Sequence, residues 1–121
     1  MKIIKEKDAE KFNYADTSSV LEYGIALNEK NMDFCTNKIT GRYPMEGYCS
    51  NLEVEELCYI LEGEGTIYKI HSEPIDFKKG DIIFINKKDI YYWNGNFKLA
   101  IVCSPVWSKE QCKLYSEEDL T

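Results

Sequence analysis

The stretch EELCYILEGEGTIYKI, residues 55–70, has the clearest strand pattern in the chain. Its first half alternates, so Glu56, Cys58 and Ile60 are predicted to face one side of a β-strand. The two glycines that follow are predicted to form a turn, because glycine readily adopts the positive φ that tight turns need. Glu56 is therefore a carboxyl inside an otherwise apolar strand, which makes it the first candidate for a functional residue.

Short strand-like runs separated by turn residues continue in both directions from this stretch. Two apolar runs precede it in VLEYGIALNEKNMDFCTNKI, residues 20–39, and NEKN separates them. The turns HSEP and NKKD and the runs IIFI, IYYW and FKLAIVCS follow it. The NGN between YYW and FKLAIV is the strongest hairpin signal, because Asn-Gly favours a tight turn. Many short strands at this spacing predict an antiparallel all-β sandwich or barrel.

Helical patterns are short and lie near the two ends of the chain. KDAEKF, residues 7–12, and SKEQCKLYSEEDL, residues 108–120, are each predicted to form a short helical turn or two. Ser108 is the expected cap of the second one. No repeat, low-complexity stretch or linker divides the sequence, so we expect one domain.

Composition and charge argue against several classes of function. The chain has 121 residues and a net charge of −6, and its lysines are interleaved with acids. Nucleic-acid binding needs clustered Lys and Arg, so no nucleic-acid partner is expected. The start, MKIIKEKDAEK, falls far short of a signal peptide or a membrane span. We therefore expect a cytoplasmic protein with no membrane partner.

The cysteines are predicted to be reduced thiols. They are an odd set without CxxC spacing or paired histidines, which argues against a disulfide framework and a zinc finger. Several of them fall in strand-like runs and are expected to be buried. The five residues are Cys35, Cys49, Cys58, Cys103 and Cys112.

Two stretches of this chain resemble the signature stretches of the cupin superfamily. The first is EELCYILEGEGTIYKI, in which Glu56 and Gly63 stand where cupins have a strand glutamate and a turn glycine. The second is FKKGDIIFINKKDIYYW, residues 77–93, which opens with Gly80, Asp81 and an apolar strand. The pieces GRYPMEGY, CYILEGEGTI and YYWNGNFKLAIVCSPVW are similar to small, stand-alone bacterial cupins.

The resemblance implies an all-β, single-domain cupin-type fold, a double-stranded β-helix or jelly-roll barrel with short N- and C-terminal extensions. It covers roughly residues 38–108 of a domain expected to span residues 1–121. Small cupins commonly pair through their outer sheets, so it also implies a homodimer. Tyr59, Tyr92 and Trp107 are the side chains expected to supply the apolar contact.

The resemblance breaks down at the metal ligands. Metal-binding cupins have two histidines ahead of the glutamate and a third in the second stretch. Here those positions hold Cys49 and Asn51, or Ser50 and Leu52 in the shorter spacing, and Tyr91. Only the glutamate is retained, and divalent transition metals need several imidazole, thiolate or carboxylate ligands. We therefore expect no metal and no other cofactor, with an unorthodox set of Cys49, the glutamate and Tyr91 as the alternative.

Inside the barrel, the resemblance implies a cavity that Glu56 shares with aromatic side chains. An aromatic floor with one carboxyl and one phenol suits a flat or amine-bearing organic molecule. Glu56 and Tyr91 are the candidate catalytic pair. The candidate ligand-binding residues are Arg42, Cys49, Asn51, Cys58, Ile83, Ile85 and Trp93.

Several of these residues have a structural alternative. Glu56 could be the relic of a lost metal site, hydrogen-bonded to Tyr91 or to an arginine. Arg42, the only arginine, could hold an acidic ligand at the mouth of the cavity or pair with an acid of the protein. Cys49 is expected to be inert, because no base is in register to activate its thiol.

Three functions remain open from the sequence. The first is a metal-independent cupin that binds a small organic ligand near Glu56, Tyr91 and Trp93. The second is an isomerase, epimerase or cyclase that uses Glu56 and Tyr91 as an acid–base pair without a metal. The third is a structural or interaction module whose barrel is filled by its own side chains.

Overall fold

The computed structural model describes residues 1–120, and nine strands of that part form one curled antiparallel sheet. The predicted all-β architecture is confirmed. The strands are β1 (Glu10–Ala15), β2 (Ser18–Glu22), β3 (Asp33–Tyr43), β4 (Tyr48–Asn51), β5 (Glu55–Lys69), β6 (Ile75–Lys78), β7 (Ile82–Ile85), β8 (Tyr91–Ser104) and β9 (Cys112–Tyr115). One α-helical turn, α1 (Gly24–Leu27), and 3-10 turns at Glu6–Asp8, Lys109–Gln111 and Glu118–Leu120 complete the described elements.

The long strands β5 and β8 form the centre of the sheet. β8 pairs with β5 along one edge, and with β3 and then β4 along the other. The β3 register runs from Asp33 opposite Cys103 to Tyr43 opposite Trp93. β2 and β1 extend the sheet beyond β3, β9 lies beyond β4, and β6 and β7 pair with the free edge of β5. Strands from both halves of the chain therefore meet around β8.

The inner face of the curl is the hydrophobic core. In β5, Glu56, Cys58 and Ile60 are buried whereas Leu57 and Tyr59 are exposed, as the alternation predicts. Apolar side chains from β3, β5 and β8 supply most of the buried cluster. Its fully buried members include Ile39, Val54, Cys58, Ile60, Leu99 and Phe97. No helix in the described part of the chain is long and apolar enough to cross a membrane.

The glycine pairs predicted as turns lie inside strands instead. Both the turn at EGEG and the hairpin at NGN are wrong, since β5 and β8 each run straight through these residues. Gly65 lies opposite Gly95 in the register of the two strands. A Cβ on Gly95 would approach Gly65 Cα to 2.5 Å and Glu64 O to 2.6 Å. These glycines therefore allow two backbones to pack closely, which local turn signals cannot distinguish from a hairpin.

Three further expectations are corrected. GIAL forms α1 and not a strand, and it ends at Asn28, whose φ of 53° closes the turn. KDAEKF gives a 3-10 turn followed by β1. The C-terminal segment forms two 3-10 turns around β9, because pairing with β4 overrides its helical pattern.

The apolar outer surface differs from the expected one. Tyr59 is exposed, but Tyr92 is covered by Tyr48, Tyr68 and the Arg42 guanidinium. Trp107 turns inward to the cavity described below. Exposed apolar side chains instead form a patch on the outer face of β5, β7 and β8. We call it the outer patch, and it consists of Leu57, Tyr59, Ile82, Phe84 and Val102.

A methyl group added at Gly95 should destabilise the fold strongly. The Cβ of a Gly95→Ala variant would meet the backbone of β5, which cannot move away as the end of a flexible side chain could. Overpacking of this kind costs roughly 3 kcal/mol in the free energy of unfolding. Urea unfolding followed by circular dichroism measures this cost.

Gly80→Ala is the matched control. Gly80 also has a positive φ, of 95°, but no atom lies within 4 Å of the position that its Cβ would take. Only backbone strain of about 1–2 kcal/mol is expected there. Equal losses in the two variants would contradict the close approach of β5 and β8 as the reason for Gly95.

Candidate functional site

A cavity of about 90 Å³ lies inside the curl of the sheet. Its wall combines residues from β1, β2 and β3 with residues from β4, β5 and β8, and the C-terminal segment closes one side. The residues that line it include Tyr14, Glu22, Asp33, Cys35, Asn37, Tyr43, Cys49, Asn51, Glu56, Tyr91, Trp93, Cys103, Trp107 and Cys112. The cavity therefore joins elements that are far apart in the sequence.

Glu56 is held by a chain of hydrogen bonds that begins in the C-terminal segment. The Trp107 indole donates to Asn51 Oδ1 at 3.1 Å, and the Gln111 amide donates to the same oxygen at 2.9 Å. Asn51 Nδ2 in turn donates to Glu56 Oε2 at 2.7 Å. An indole N–H can only donate, so it fixes Asn51 with its oxygen toward Trp107 and its NH₂ toward Glu56. Glu56 Oε2 is therefore an acceptor.

The other oxygen of this carboxyl faces the cavity. Within residues 1–120, the hydrogen bond from Asn51 is the only one to the Glu56 carboxyl, although the residue is only 8% exposed. Burial raises the pKa of Glu56, and the Asn51 hydrogen bond only partly offsets that increase. Because Oε2 accepts from Asn51, a proton taken up by Glu56 resides on Oε1, where it points to whatever occupies the cavity.

Tyr91 and Cys49 form the neighbouring part of the wall. They lie opposite each other in β8 and β4. The Cys49 thiol donates to the backbone carbonyl oxygen of Tyr91 at 3.5 Å, and burial raises the pKa of both the thiol and the Tyr91 phenol. The phenol and the thiol are therefore protonated at neutral pH, so Tyr91 can donate a proton but does not act as a base there. Cys49 has no thiolate character, which agrees with the expectation of an inert cysteine.

Two further acidic residues, Glu22 and Asp33, line the part of the wall formed by β2 and β3. The Tyr14 hydroxyl donates to Glu22 Oε1 at 3.3 Å, and Asp33 begins β3 next to them. Asp33 is 7% exposed, and its Oδ1 accepts the Phe34 backbone N–H at 2.8 Å. Burial, together with the negative charge of Asp33 and Glu56, raises the pKa of Glu22 to about 6. Three carboxyls therefore share one cavity and repel one another when ionised.

Four of the predicted site residues besides Glu56 line the cavity, namely Cys49, Asn51, Tyr91 and Trp93. Cys58 and Ile85 are instead buried in the apolar core, and Ile83 packs against that core. These three do not line the cavity, because Cys58 and Ile85 are sealed by their neighbours on β5 and β8. They lie beside the cavity on the same face of the sheet as Glu56, since Ile85 pairs with Glu56 and Ile83 pairs with Cys58.

Arg42 lies outside the cavity. Its guanidinium stacks over the Tyr92 ring at 3.8 Å, and one of its N–H groups donates to Gly47 O at 2.7 Å. Neither contact involves Glu56 or the cavity wall. Arg42 faces the outside of the sheet because it alternates with inward-facing neighbours on β3, so the position suits cation–π packing with the tyrosines there.

The residues at the family's metal positions do not fit a metal ion. Asn51 contributes a neutral amide that is already bonded on both sides, and the Cys49 thiol has a raised pKa. No three His, Cys, Asp or Glu side chains of residues 1–120 are arranged to hold a metal. The only histidine, His71, is exposed in the turn after β5. Glu56 Oε2 is already used as the acceptor of the Asn51 amide.

The sequence did not predict that the polar residues of β1, β2 and β3 belong to the site, nor that Trp107 and Gln111 do. The available signal was alternation: Ser18, Val20 and Glu22 face one side of β2, and Asp33, Cys35 and Asn37 face one side of β3. Polar residues at every second position of a strand usually indicate a solvent-exposed face, so the alternation alone points outward. Only the curl of the sheet turns this face inward.

Part of the chain matches a known family. Residues 47–99 match the model of the EutQ-like cupin domain, a range that contains Cys49, Asn51, Glu56 and Tyr91. No curated protein matches the sequence. The sequence evidence therefore concentrates on the strands around β5 and β8.

Solved structures extend the likeness over nearly the whole chain. Pac13 of Streptomyces, described as a unique nucleoside dehydratase, superimposes with a TM-score of 0.82 at 14% identity, covering 96% of this chain and 92% of Pac13. Ectoine synthase from P. lautus gives 0.74 at 14% identity, covering 95% and 90%. KdgF from Halomonas sp. gives 0.67 at 8% identity, covering 88% and 96%.

At these identities the structural likeness shows the fold, which is the cupin-type β-barrel. It agrees with the family match around Glu56 and with the resemblance of the two signature stretches. Residues 47–99 therefore match the EutQ-like cupin domain, and the chain as a whole has the fold of a small cupin-type β-barrel.

Proposed function

We propose that this protein binds a small organic molecule in the barrel, next to Glu56, Tyr91 and Trp93, without a catalytic metal. One observation carries the proposal: a buried carboxyl, oriented by Asn51 through Oε2, lines the cavity and has no hydrogen bond to its other oxygen, Oε1. Burying a carboxyl is costly unless its hydrogen-bonding capacity is used, and a ligand would supply the missing partner. The presence of a cavity disfavours the alternative of a barrel filled by its own side chains.

Pac13 supports this proposal by analogy. Structures of its variants contain uridine, so a cupin barrel of the same size can hold a molecule as large as a nucleoside. The other two similar structures are named as an ectoine synthase and as KdgF, and the fold alone does not select among such ligands.

A second candidate is an enzyme that transfers protons, as an isomerase, epimerase or cyclase does. The raised pKa of Glu56 favours it, because burial makes this carboxyl a stronger base than an ordinary one. In this scheme Glu56 Oε1 accepts a proton from the substrate, and the Tyr91 hydroxyl donates one. Both residues line the same cavity, as the scheme requires.

The two tryptophans of the chain make the proposal testable. Trp93 and Trp107 are the only tryptophans, and both line the cavity, so their fluorescence reports its occupancy. We expect at least one compound from a panel of amines, carboxylic acids, sugars and nucleosides, uridine among them, to change the emission saturably. A Glu56→Gln variant should bind it about tenfold more weakly. Its amide keeps the shape but places N–H groups where Oε1 accepts, and a hydrogen bond to a charged group contributes about 1.5–3 kcal/mol.

Glu64→Gln is the matched control, because Glu64 is on the same strand but exposed to solvent. A panel without any saturable response, or equal effects of the two substitutions, would contradict the proposal. For each compound that binds, proton NMR in D₂O separates the two candidates. Exchange of a carbon-bound hydrogen that Glu56→Gln abolishes supports the enzyme, and unchanged spectra support binding alone.

The cavity carboxyls should make folding stability depend on pH. The pKa of Glu22 is about 6 in the folded protein and 4.5 ordinarily, so the folded state takes up a proton that the unfolded state does not. Stability should therefore rise as the pH falls from about 7.5 to about 5, and Glu56 acts in the same direction. Urea midpoints measure this rise. It should be smaller in Glu22→Gln and unchanged in Glu64→Gln, and equal rises in all three proteins would be the contrary result.

We also propose the homodimer, with the outer patch as its contact. Leu57 lies between Phe84 and Val102 in the register, and Tyr59 lies next to Ile82, so the patch is a continuous apolar surface. It carries no charge, and a second copy offers a surface of the same shape and chemistry across a two-fold axis. Light scattering should give twice the monomer mass for the wild type and the monomer mass for Phe84→Glu. A monomeric wild type at working concentration would remove the dimer.

A further inference from the structure

The charge of the cavity wall has one sign. Glu22, Asp33 and Glu56 come from three different strands and all line the cavity, whereas no Lys, Arg or His of residues 1–120 does. The repulsion among these carboxyls is part of the reason that the pKa of Glu22 is raised. Repulsion among buried carboxyls without an internal counter-ion is relieved by proton uptake or by a bound cation.

Several hydrogen-bond donors of the wall are used within the wall itself. The Asn51 amide donates to Glu56, the Trp107 indole donates to Asn51, and the Tyr14 hydroxyl donates to Glu22. The Asn37 amide and the hydroxyls of Tyr43 and Tyr91 are the remaining strong donors. A ligand rich in acceptors, such as a carboxylate or a phosphate, would therefore find few partners.

The acceptors of the wall are left free. Among residues 1–120, Glu56 Oε1 accepts no hydrogen bond, and the Asp33 carboxyl accepts only the backbone N–H of Phe34. Both side chains are more than nine-tenths buried, with exposures of 8% and 7%. Glu56 and Asp33 lie on either side of Cys103 in the register of β5, β8 and β3, so the unused oxygens of two buried carboxyls can accept several hydrogen bonds from one ligand.

Aromatic rings surround these oxygens. Tyr91 and Trp93 pack edge to face with centroids 5.9 Å apart, and Tyr14 and Trp107 do so at 5.8 Å. Aromatic faces attract organic cations and also cover the apolar part of a ligand. The wall therefore offers negative charge, free acceptors and π-faces in one small space.

From this combination we infer that the cavity binds a small organic amine in its ammonium form, held between the carboxyls of Glu56 and Asp33 and next to Glu22. The inference rests on the proposed function and specifies its ligand class. An ammonium group supplies the missing positive charge and up to three N–H donors, and its carbon chain packs against the rings. The carboxyls of the wall favour an ammonium ion over a nucleoside or a sugar, because both of these are neutral.

Three probes with the same carbon skeleton and different charge test the inference. Butylamine, 1-butanol and butyrate are titrated at neutral pH against the intact protein, with tryptophan fluorescence and ligand-observed NMR as readouts. Butylamine should bind at least about tenfold more tightly than 1-butanol, a difference of about 1.4 kcal/mol. Butyrate should bind most weakly, because its carboxylate meets like charges.

Variants of the carboxyls show whether these groups cause the preference. Glu56→Gln and Asp33→Asn should each lower the affinity for butylamine about fivefold or more and leave that for 1-butanol within about twofold. Asn at position 33 can still accept the Phe34 N–H, so the fold should survive, and urea unfolding verifies this. Glu22→Gln is a second variant in case Asp33→Asn does not fold. Glu64→Gln, outside the cavity, should change neither affinity.

Equal affinities for the amine and the alcohol, or an amine affinity that these variants leave unchanged, would overturn the inference. If uridine or a sugar binds and butylamine does not, the amine inference is wrong and the proposed function stands. If neither these probes nor the wider panel changes the emission, both are wrong.

Discussion

The close pairing of β5 with β8 is the constraint on which the rest of the structure depends. The two strands stay continuous because Gly65 and Gly95 let their backbones approach where any side chain would collide. Along this pair, Glu56 lies opposite Cys103, and Tyr91 and Trp93 begin the other strand. The residues at the centre of the cavity therefore have their positions set by one long antiparallel register.

The site combines two kinds of wall. On one side, Asn51 orients Glu56 and is itself oriented by Trp107 and Gln111, so the carboxyl has a defined direction. On the other side, Glu22 and Asp33 add negative charge from β2 and β3. Where cupins that bind a metal place imidazoles, this chain places an amide and a thiol, and the amide binds the glutamate directly.

The sequence predicted the β architecture, the inward direction of Glu56 and several cavity residues, because these depend on strand alternation within one stretch. It missed Glu22 and Asp33, since polar alternation in β2 and β3 has the same pattern as a solvent-exposed face. It misplaced Cys58, Ile83 and Ile85, because alternation gives the face of a strand but not the depth along it, whereas Arg42 lies on the outer face of β3. The turns predicted at EGEG and NGN are wrong, because a close approach between distant strands leaves the same local signal as a hairpin.

The hydrogen bonds of Asn51 also couple the end of the chain to the centre of the barrel. Gln111 lies just before β9, its backbone oxygen accepts Leu52 N, and its side chain reaches Asn51 in the same layer as Trp107. Local opening of this terminal segment would leave Asn51 free to rotate and Glu56 without a fixed partner. The proton affinity of the buried carboxyl is therefore linked to the local stability of β9. Amide hydrogen exchange in β9 and the titration of Glu56 both depend on the same local opening of this segment.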